Sequence, residues 1–157
     1  MTSFVADLSA FVAKANGNMD RVVRKVVLDV GTSVVEKSPV GDRDFWKSNI
    51  IRAAVNLPPL PAGYVGGRFR GNWQYAFGHV PQGQNDAIDP TGGVSVNRIS
   101  SGLGSLSNAT GIHYVANNLP YAQRLEEGWS HRQAPQGMVM LTVVEFQTFF
   151  RRAVASL

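Results

Sequence analysis

Eleven carboxylates and three histidines are this chain's supply of groups for proton transfer or metal binding, and their spacing brings few of them together. His79, His113 and His131 lie far apart, and none has a partner at a metal-ligand spacing such as H-E-x-x-H. His113 falls in a stretch that reads as a strand and the other two in loops, so surface or packing roles are expected. Glu126 and Glu127 are adjacent, so on a helix their side chains diverge and cannot share one substrate proton. Asp42, Asp44, Asp86 and Asp89 sit among turn residues and read as solvated turn acids. The Asp86–Asp89 pair lacks calcium-loop spacing. Gly102-Leu103-Gly104 lacks the third glycine of a dinucleotide loop and reads as a turn. There is no Gly-Lys-Ser/Thr and no G-x-S-x-G elbow. The absence of cysteine excludes disulfides, thiolate catalysis and Cys-containing zinc sites, and fits folding in a reducing cytoplasm. The sequence therefore predicts a protein that is not an enzyme, with no cofactor and no metal site.

The chemistry that remains is recognition. In Gly66–Phe77, Phe69, Trp73, Tyr75 and Phe77 share one parity and Arg68, Arg70, Asn72 and Gln74 the other. Successive strand side chains point to opposite faces, so this reads as a strand with an aromatic underside and a basic, amide-rich outer side. Arginine beside arene suggests nucleic-acid binding, but a stacking platform wants both on one face. A second stretch, Asn117–Trp129, reads as a short helix displaying two acids and two arenes. Asn118 is its cap, Pro120 lies at its start and Gly128 ends it. Arg68 and Arg70 pairing with Glu126 or Glu127 of an adjacent subunit would suit a head-to-tail, ring-forming contact.

Helices must position these two stretches. Ser3 can cap a first helix carrying Phe4, Leu8, Phe11 and Val12, which Asn16-Gly17-Asn18 is expected to break. A second helix carries a stripe from Met19 to Val35 and ends before Pro39. Residues 40–66 read as a long loop containing the stiff segment Leu57-Pro58-Pro59-Leu60-Pro61, and residues 78–93 as a long mobile hairpin or lid. Residues 94–106 fit a short helix or irregular structure equally. Residues 111–117 read as a second strand, apolar on both sides and therefore central. A last helix over 135–156 carries Val139, Val143, Phe146, Phe150 and Val154 as its stripe, with Arg151 and Arg152 at its negative end.

A length of 157 residues implies one domain. Charged residues are only 17%, below the usual quarter, so the surface is expected to be covered in an oligomer or assembly. A net charge of +4 is too weak to imply nucleic acid by itself. The N-terminus lacks the pattern of a signal peptide, and the longest apolar run, Met138–Val144, is too short to span a bilayer. The expectation is a soluble protein without a membrane partner.

Four segments in order carry a family resemblance: a long N-terminal helix ending in Ser38-Pro39-Val40; the start Gly67-Arg68-Phe69-Arg70-Gly71-Asn72-Trp73; the turn Asn117-Asn118-Leu119-Pro120-Tyr121-Ala122 leading to Leu125-Glu126-Glu127-Gly128-Trp129-Ser130; and Gln133-Ala134-Pro135-Gln136-Gly137-Met138-Val139. The chain resembles the tail-completion, or head–tail joining, proteins of long-tailed bacteriophages, the lambda minor tail protein Z type included. Members often pass from Pro-Val through an Asp-Thr-Gly-like turn directly into the arginine-containing strand, whereas here roughly 26 residues, Gly41 to Gly66, intervene. The resemblance implies an α+β fold, with N-terminal helices and a C-terminal helix packed on a small antiparallel sheet with long loops. It implies a non-enzymatic virion subunit at the neck, a homo-oligomeric ring around the DNA channel. Its partners would be other phage neck and tail proteins and the genomic DNA end, and its location the virion, after assembly in the host cytoplasm. Arg68, Arg70, Trp73, Tyr121, Glu126 and Trp129 are the expected subunit-interface or DNA-channel positions, though Trp73 and Tyr121 fit a core equally well. The alternative is a small nucleic-acid-binding domain.

Overall fold

A single helix, α1 (Thr2–Lys37), occupies the whole N-terminal quarter of the computed structural model, which describes residues 2–41, 53–54, 56, 58 and 62–157. At 1.5 Å per residue its 36 residues extend about 54 Å. The expected break at Asn16-Gly17-Asn18 is absent, and Ser3 lies inside the helix instead of capping it. One glycine weakens a helix by only about 0.5–1 kcal/mol, and nothing lies within 4 Å of a Cβ built on Gly17. Replacing it with alanine should therefore strengthen the helix without a clash. We expect amide exchange across residues 4–16 to slow about two- to fivefold in Gly17→Ala, with little change in the global melting transition. An unchanged or faster exchange would contradict a continuous α1.

The helix ends as its sequence implies, before Pro39. Ser38 is buried there and its Oγ donates to the Val34 carbonyl at 2.6 Å. The next described element is not the expected strand. Arg68–Gly71 form one helical turn, α2, and only Trp73–Phe77 are strand β1. Gly67, at φ 109°, opens the turn, and Gly71 N–H closes on the Gly67 carbonyl at 2.8 Å. Helical spacing then puts Phe69 and Trp73, four residues apart, on the same side. Both are buried, edge to face with ring centroids 6.1 Å apart.

Strand β1 pairs antiparallel with β2 (His113–Asn117), Trp73 opposite Asn117 and Phe77 opposite His113. These two strands are the whole sheet among the described residues, so β2 is an edge and not central. Between them, Gly93–Gly104 form helix α3, deciding the segment left open above. Gly102-Leu103-Gly104 is its last turn, not a loop. Ser95, Ile99 and Leu103 recur every four residues and form its buried face. Ile99 reaches α1 at Gly31, where a Cβ would stand 2.7 Å from Ile99 Cδ1.

Loop 78–93 is hydrogen-bonded to the sheet and to Asn118. Gln74 Nε2 donates to the Gly83 carbonyl at 2.9 Å, Asn118 Nδ2 to Pro81 at 2.9 Å, and Asn72 Nδ2 to Asn85. Asp89 is buried, not solvated; its carboxylate accepts the Gly92 and Ser95 amides, both at 2.8 Å, and so caps α3. Asp42, Asp44, the segment from Leu57 to Pro61 and most of loop 40–66 lie outside the described residues or at their margins.

Tyr121, not Asn118, is the cap residue of the short helix α4 (Ala122–Glu126). Gly128 ends it at φ 85°, with Trp129 N–H on the Arg124 carbonyl and Gly128 N–H on Leu125. The C-terminal helix α5 (Val139–Ala155) starts four residues after Pro135. It packs chiefly on α1: Ser33 Oγ meets Thr142 Oγ1 at 2.9 Å, and Lys37 Nζ meets Glu145 at 2.6 Å. Val34, Val35, Phe69, Trp73, Ile99, Leu103, Leu119 and Met138 form the central cluster. The result is an α+β fold whose core lies where α1, α3 and β1 meet.

Candidate assembly surface

The six candidate residues divide into three with internal duties and three with accessible surface. Trp73 is buried and its Nε1–H donates to Ser38 Oγ at 2.6 Å, so it belongs to the core. Arg70 ties the end of α1 to the loop ahead of α3, donating to the carbonyls of Glu36, Ser38 and Pro90 at 2.7–2.9 Å. Glu126 is the third. Its carboxylate accepts the backbone amides of Met138, Val139 and Met140 at 2.9–3.0 Å, capping α5 from the end of α4. It is therefore not a free acid for a neighbour's arginine. Of the four residues expected to pair between subunits, Arg68 and Arg70 with Glu126 or Glu127, two already bond main-chain groups of their own chain, Arg70 and Glu126.

Arg68, Tyr121 and Trp129 remain at the surface. Tyr121 rests its ring on Phe69, centroids 6.0 Å apart, and partial burial raises its phenol, against the pull of the nearby Arg68 charge. Arg68 and Tyr121 are thus brought together. Trp129 is 64% exposed and carries the Arg124 guanidinium 5.0 Å from its ring centroid. Arg68 stands 3.9 Å from the fully exposed Asp86, a contact worth little in water.

Burial at the Glu126 carboxylate would raise its pKa, but its three backbone donors hold it below the ordinary carboxylate range. Glu145 is lowered as well, first by its hydrogen bond from Lys37. A carboxylate depressed by folding stabilises the protein above its unfolded pKa, about 4.3. That contribution disappears as pH falls through the lower folded value. Glu126→Gln should lose about 1 kcal/mol at pH 7 and soften the fall in stability below pH 4. Urea midpoints measured from pH 7 to pH 3 test this; parallel curves for the two proteins would contradict it.

The remaining polar groups serve the fold. His113 has both nitrogens engaged, Nε2 on the Ala109 carbonyl at 2.7 Å and Nδ1 with the Tyr75 hydroxyl at 2.8 Å. The carbonyl can only accept, so Nε2 carries the proton and Tyr75 donates to Nδ1. Asp20 is lowered by its hydrogen bond from Arg24 and by the Ala109 amide, clamping loop 105–110 to α1. A shallow hollow there, about 460 Å³, is lined by Asn16, Met19, Asp20 and Asn108, and Asp20 is its one ionisable side chain. Among the described residues, no three His, Cys, Asp or Glu side chains gather to hold a metal, and no helix is long and apolar enough to cross a membrane.

Two apolar surfaces stand out among the helix stripes. The first 16 residues of α1 form an arm on which every side chain from Phe4 to Gly17 is exposed. Phe4 is 74% exposed and Phe11 68%, with Val5, Leu8 and Val12 alongside. On α5 the stripe of Val139, Val143, Phe146, Phe150 and Val154 is exposed. The face on α1 is instead Thr142, Glu145, Phe149 and Ala153. No family model, curated protein or solved structure matches the chain. The one hint available in the sequence was excess: Val139, Met140, Val143, Val144, Phe146, Phe149 and Phe150 surround α5 more widely than one buried face requires.

Proposed function

We propose that this chain is a structural subunit of a tailed bacteriophage, assembling as a homo-oligomeric ring at the neck, where it completes the tail and joins it to the head. The observation that carries the reading is the pair of bare apolar helix faces on one small chain, the arm of α1 and the outer side of α5. Contiguous patches of this kind mark interaction surfaces. Each large apolar side chain gains about 1.5–3 kcal/mol on full burial, while association costs about 4–15 kcal/mol before any gain appears. Several must therefore engage together, which favours addition to a correctly shaped rim over casual pairing. Arg68, Tyr121 and Trp129 are exposed and add polar and aromatic surface for such contacts.

Three arginines, Arg24, Arg70 and Arg98, donate to main-chain carbonyls of their own chain. This reduces the positive charge available to nucleic acid and favours a protein-assembly role over a DNA-binding domain. Contact with the DNA end, through Arg68, would be to phosphates and independent of sequence. The decisive experiment is genetic. A nonsense mutant of the parent phage should accumulate filled heads and separate tails; joined, infectious virions would refute the neck assignment.

A further inference from the structure

We propose that the N-terminal arm of α1 in one copy lies antiparallel along the outer face of α5 in the next copy, forming the repeating contact of the ring. This rests on the reading of the chain as a self-assembling subunit. The arm cannot serve its own α5. It continues α1 without a break, and the other half of α1 already holds the inner side of α5 through Ser33, Lys37, Thr142 and Glu145. Folding back would require breaking the helix at Gly17. Each copy therefore offers one arm and one face, and a second copy is the occupant that satisfies both.

The two surfaces match in length and spacing. Residues 2–16 of the arm extend about 22 Å and the 17 residues of α5 about 25 Å. Phe4, Leu8 and Phe11 follow i, i+4, i+7, as do Val139, Val143 and Phe146, so their ridges can interlock as antiparallel helices do. Antiparallel docking puts Phe4 by Phe150, Leu8 by Phe146 and Val12 by Val143. At about 200 Å² per ring, the exposed parts of Phe4, Phe11, Phe146 and Phe150 alone amount to roughly 450 Å². That is more than a third of the roughly 1,200 Å² at which specific interfaces begin, and the flanking Val and Leu side chains add a comparable area. Because arm and face differ, the contact is head-to-tail and closes into a ring when its rotation permits.

Sedimentation of the full chain at high concentration tests this with two double variants, Phe4→Asp/Phe11→Asp in the arm and Phe146→Asp/Phe150→Asp on the face. All four positions are exposed, and circular dichroism checks that each variant is folded. Each alone should self-associate at least about 100-fold more weakly than wild type. Mixed together, they should form a one-to-one dimer and nothing larger, since one intact arm then meets one intact face. A face variant that assembles like wild type, or a mixture that stays monomeric, overturns the inference while leaving a ring formed by another contact open. Should wild type and both variants all sediment as monomers, a different protein occupies the face; this inference then fails together with the self-assembling part of the reading above. The chain has no cysteine, so Leu8→Cys and Phe146→Cys provide a second measurement. Oxidising a mixture of the two single variants should give a covalent dimer, and its absence counts against the proposed register.

Discussion

Trp73→Ala should lower stability by about 3–5 kcal/mol, the cost of emptying a large aromatic site in a packed core. Most domains of this size hold about 5–15 kcal/mol in total, so the variant would stand close to its unfolding limit. The ring is only 4% exposed and packs edge to face on Phe69, and its N–H is the donor that reaches Ser38 at the end of α1. One side chain thus joins the sheet, α2 and the terminus of the longest helix. Trp73→Phe keeps most of the volume and loses the N–H, which should cost about 1–3 kcal/mol. In urea the alanine variant's midpoint should drop by about 2 M. A drop below about 0.5 M for alanine would show that Trp73 is not the centre of this core. The contrast with Phe146→Asp/Phe150→Asp separates the two kinds of aromatic site: losing Trp73 should unfold the chain, whereas altering the outer face of α5 should leave it folded and solitary.

Gly67→Ala should be comparably damaging, about 3–5 kcal/mol, for a different reason. At φ 109° an L side chain is strained, which costs about 1–3 kcal/mol. A Cβ would also stand 2.5 Å from Pro90 N and 2.6 Å from the Asp89 carbonyl carbon, both backbone atoms that no rotamer change can move. Relief requires shifting the chain, at about 1–3 kcal/mol more. The displaced residue would be Asp89, whose amide bonds the Gly67 carbonyl at 3.1 Å and whose carboxylate caps α3. Loss of the cap should appear as faster amide exchange at Gly92 and Ser95, with a lower urea midpoint. A wild-type midpoint would mean that the chain here gives way at little cost.

Several elements were legible along the chain. Pro39 forbids helical backbone at Ser38, and the helix ends there. Gly128 tolerates the left-handed conformation, and α4 ends there. The period of Phe146, Phe150 and Val154 distinguishes α5 from a strand. Other readings failed where local rules compete. The alternation from Arg68 to Phe77 fits a strand, but Phe69 and Trp73 are also four apart, and burying both on one side of a helical turn prevailed. Asn16-Gly17-Asn18 has a breaker's composition, yet one glycine carries too small a penalty to interrupt a helix of this length. Asp89 resembles a solvated turn acid until the start of α3 is set against it. Glu126 resembles a surface acid until α5 presents three amides to it.

The sequence by itself determined the helical periods, the two strands and the absence of cysteine, while the α+β fold that the structure has was what the family resemblance implied. What tertiary structure alone decided is which apolar stripe is buried and which is bare. A hydrophobic period states that a helix face avoids water, and it is silent on what covers it. Burial of Thr142, Phe149 and Ala153 against α1 turned the valines and phenylalanines of α5 outward, because a helix of one angular width cannot place all of its apolar residues against a single neighbour.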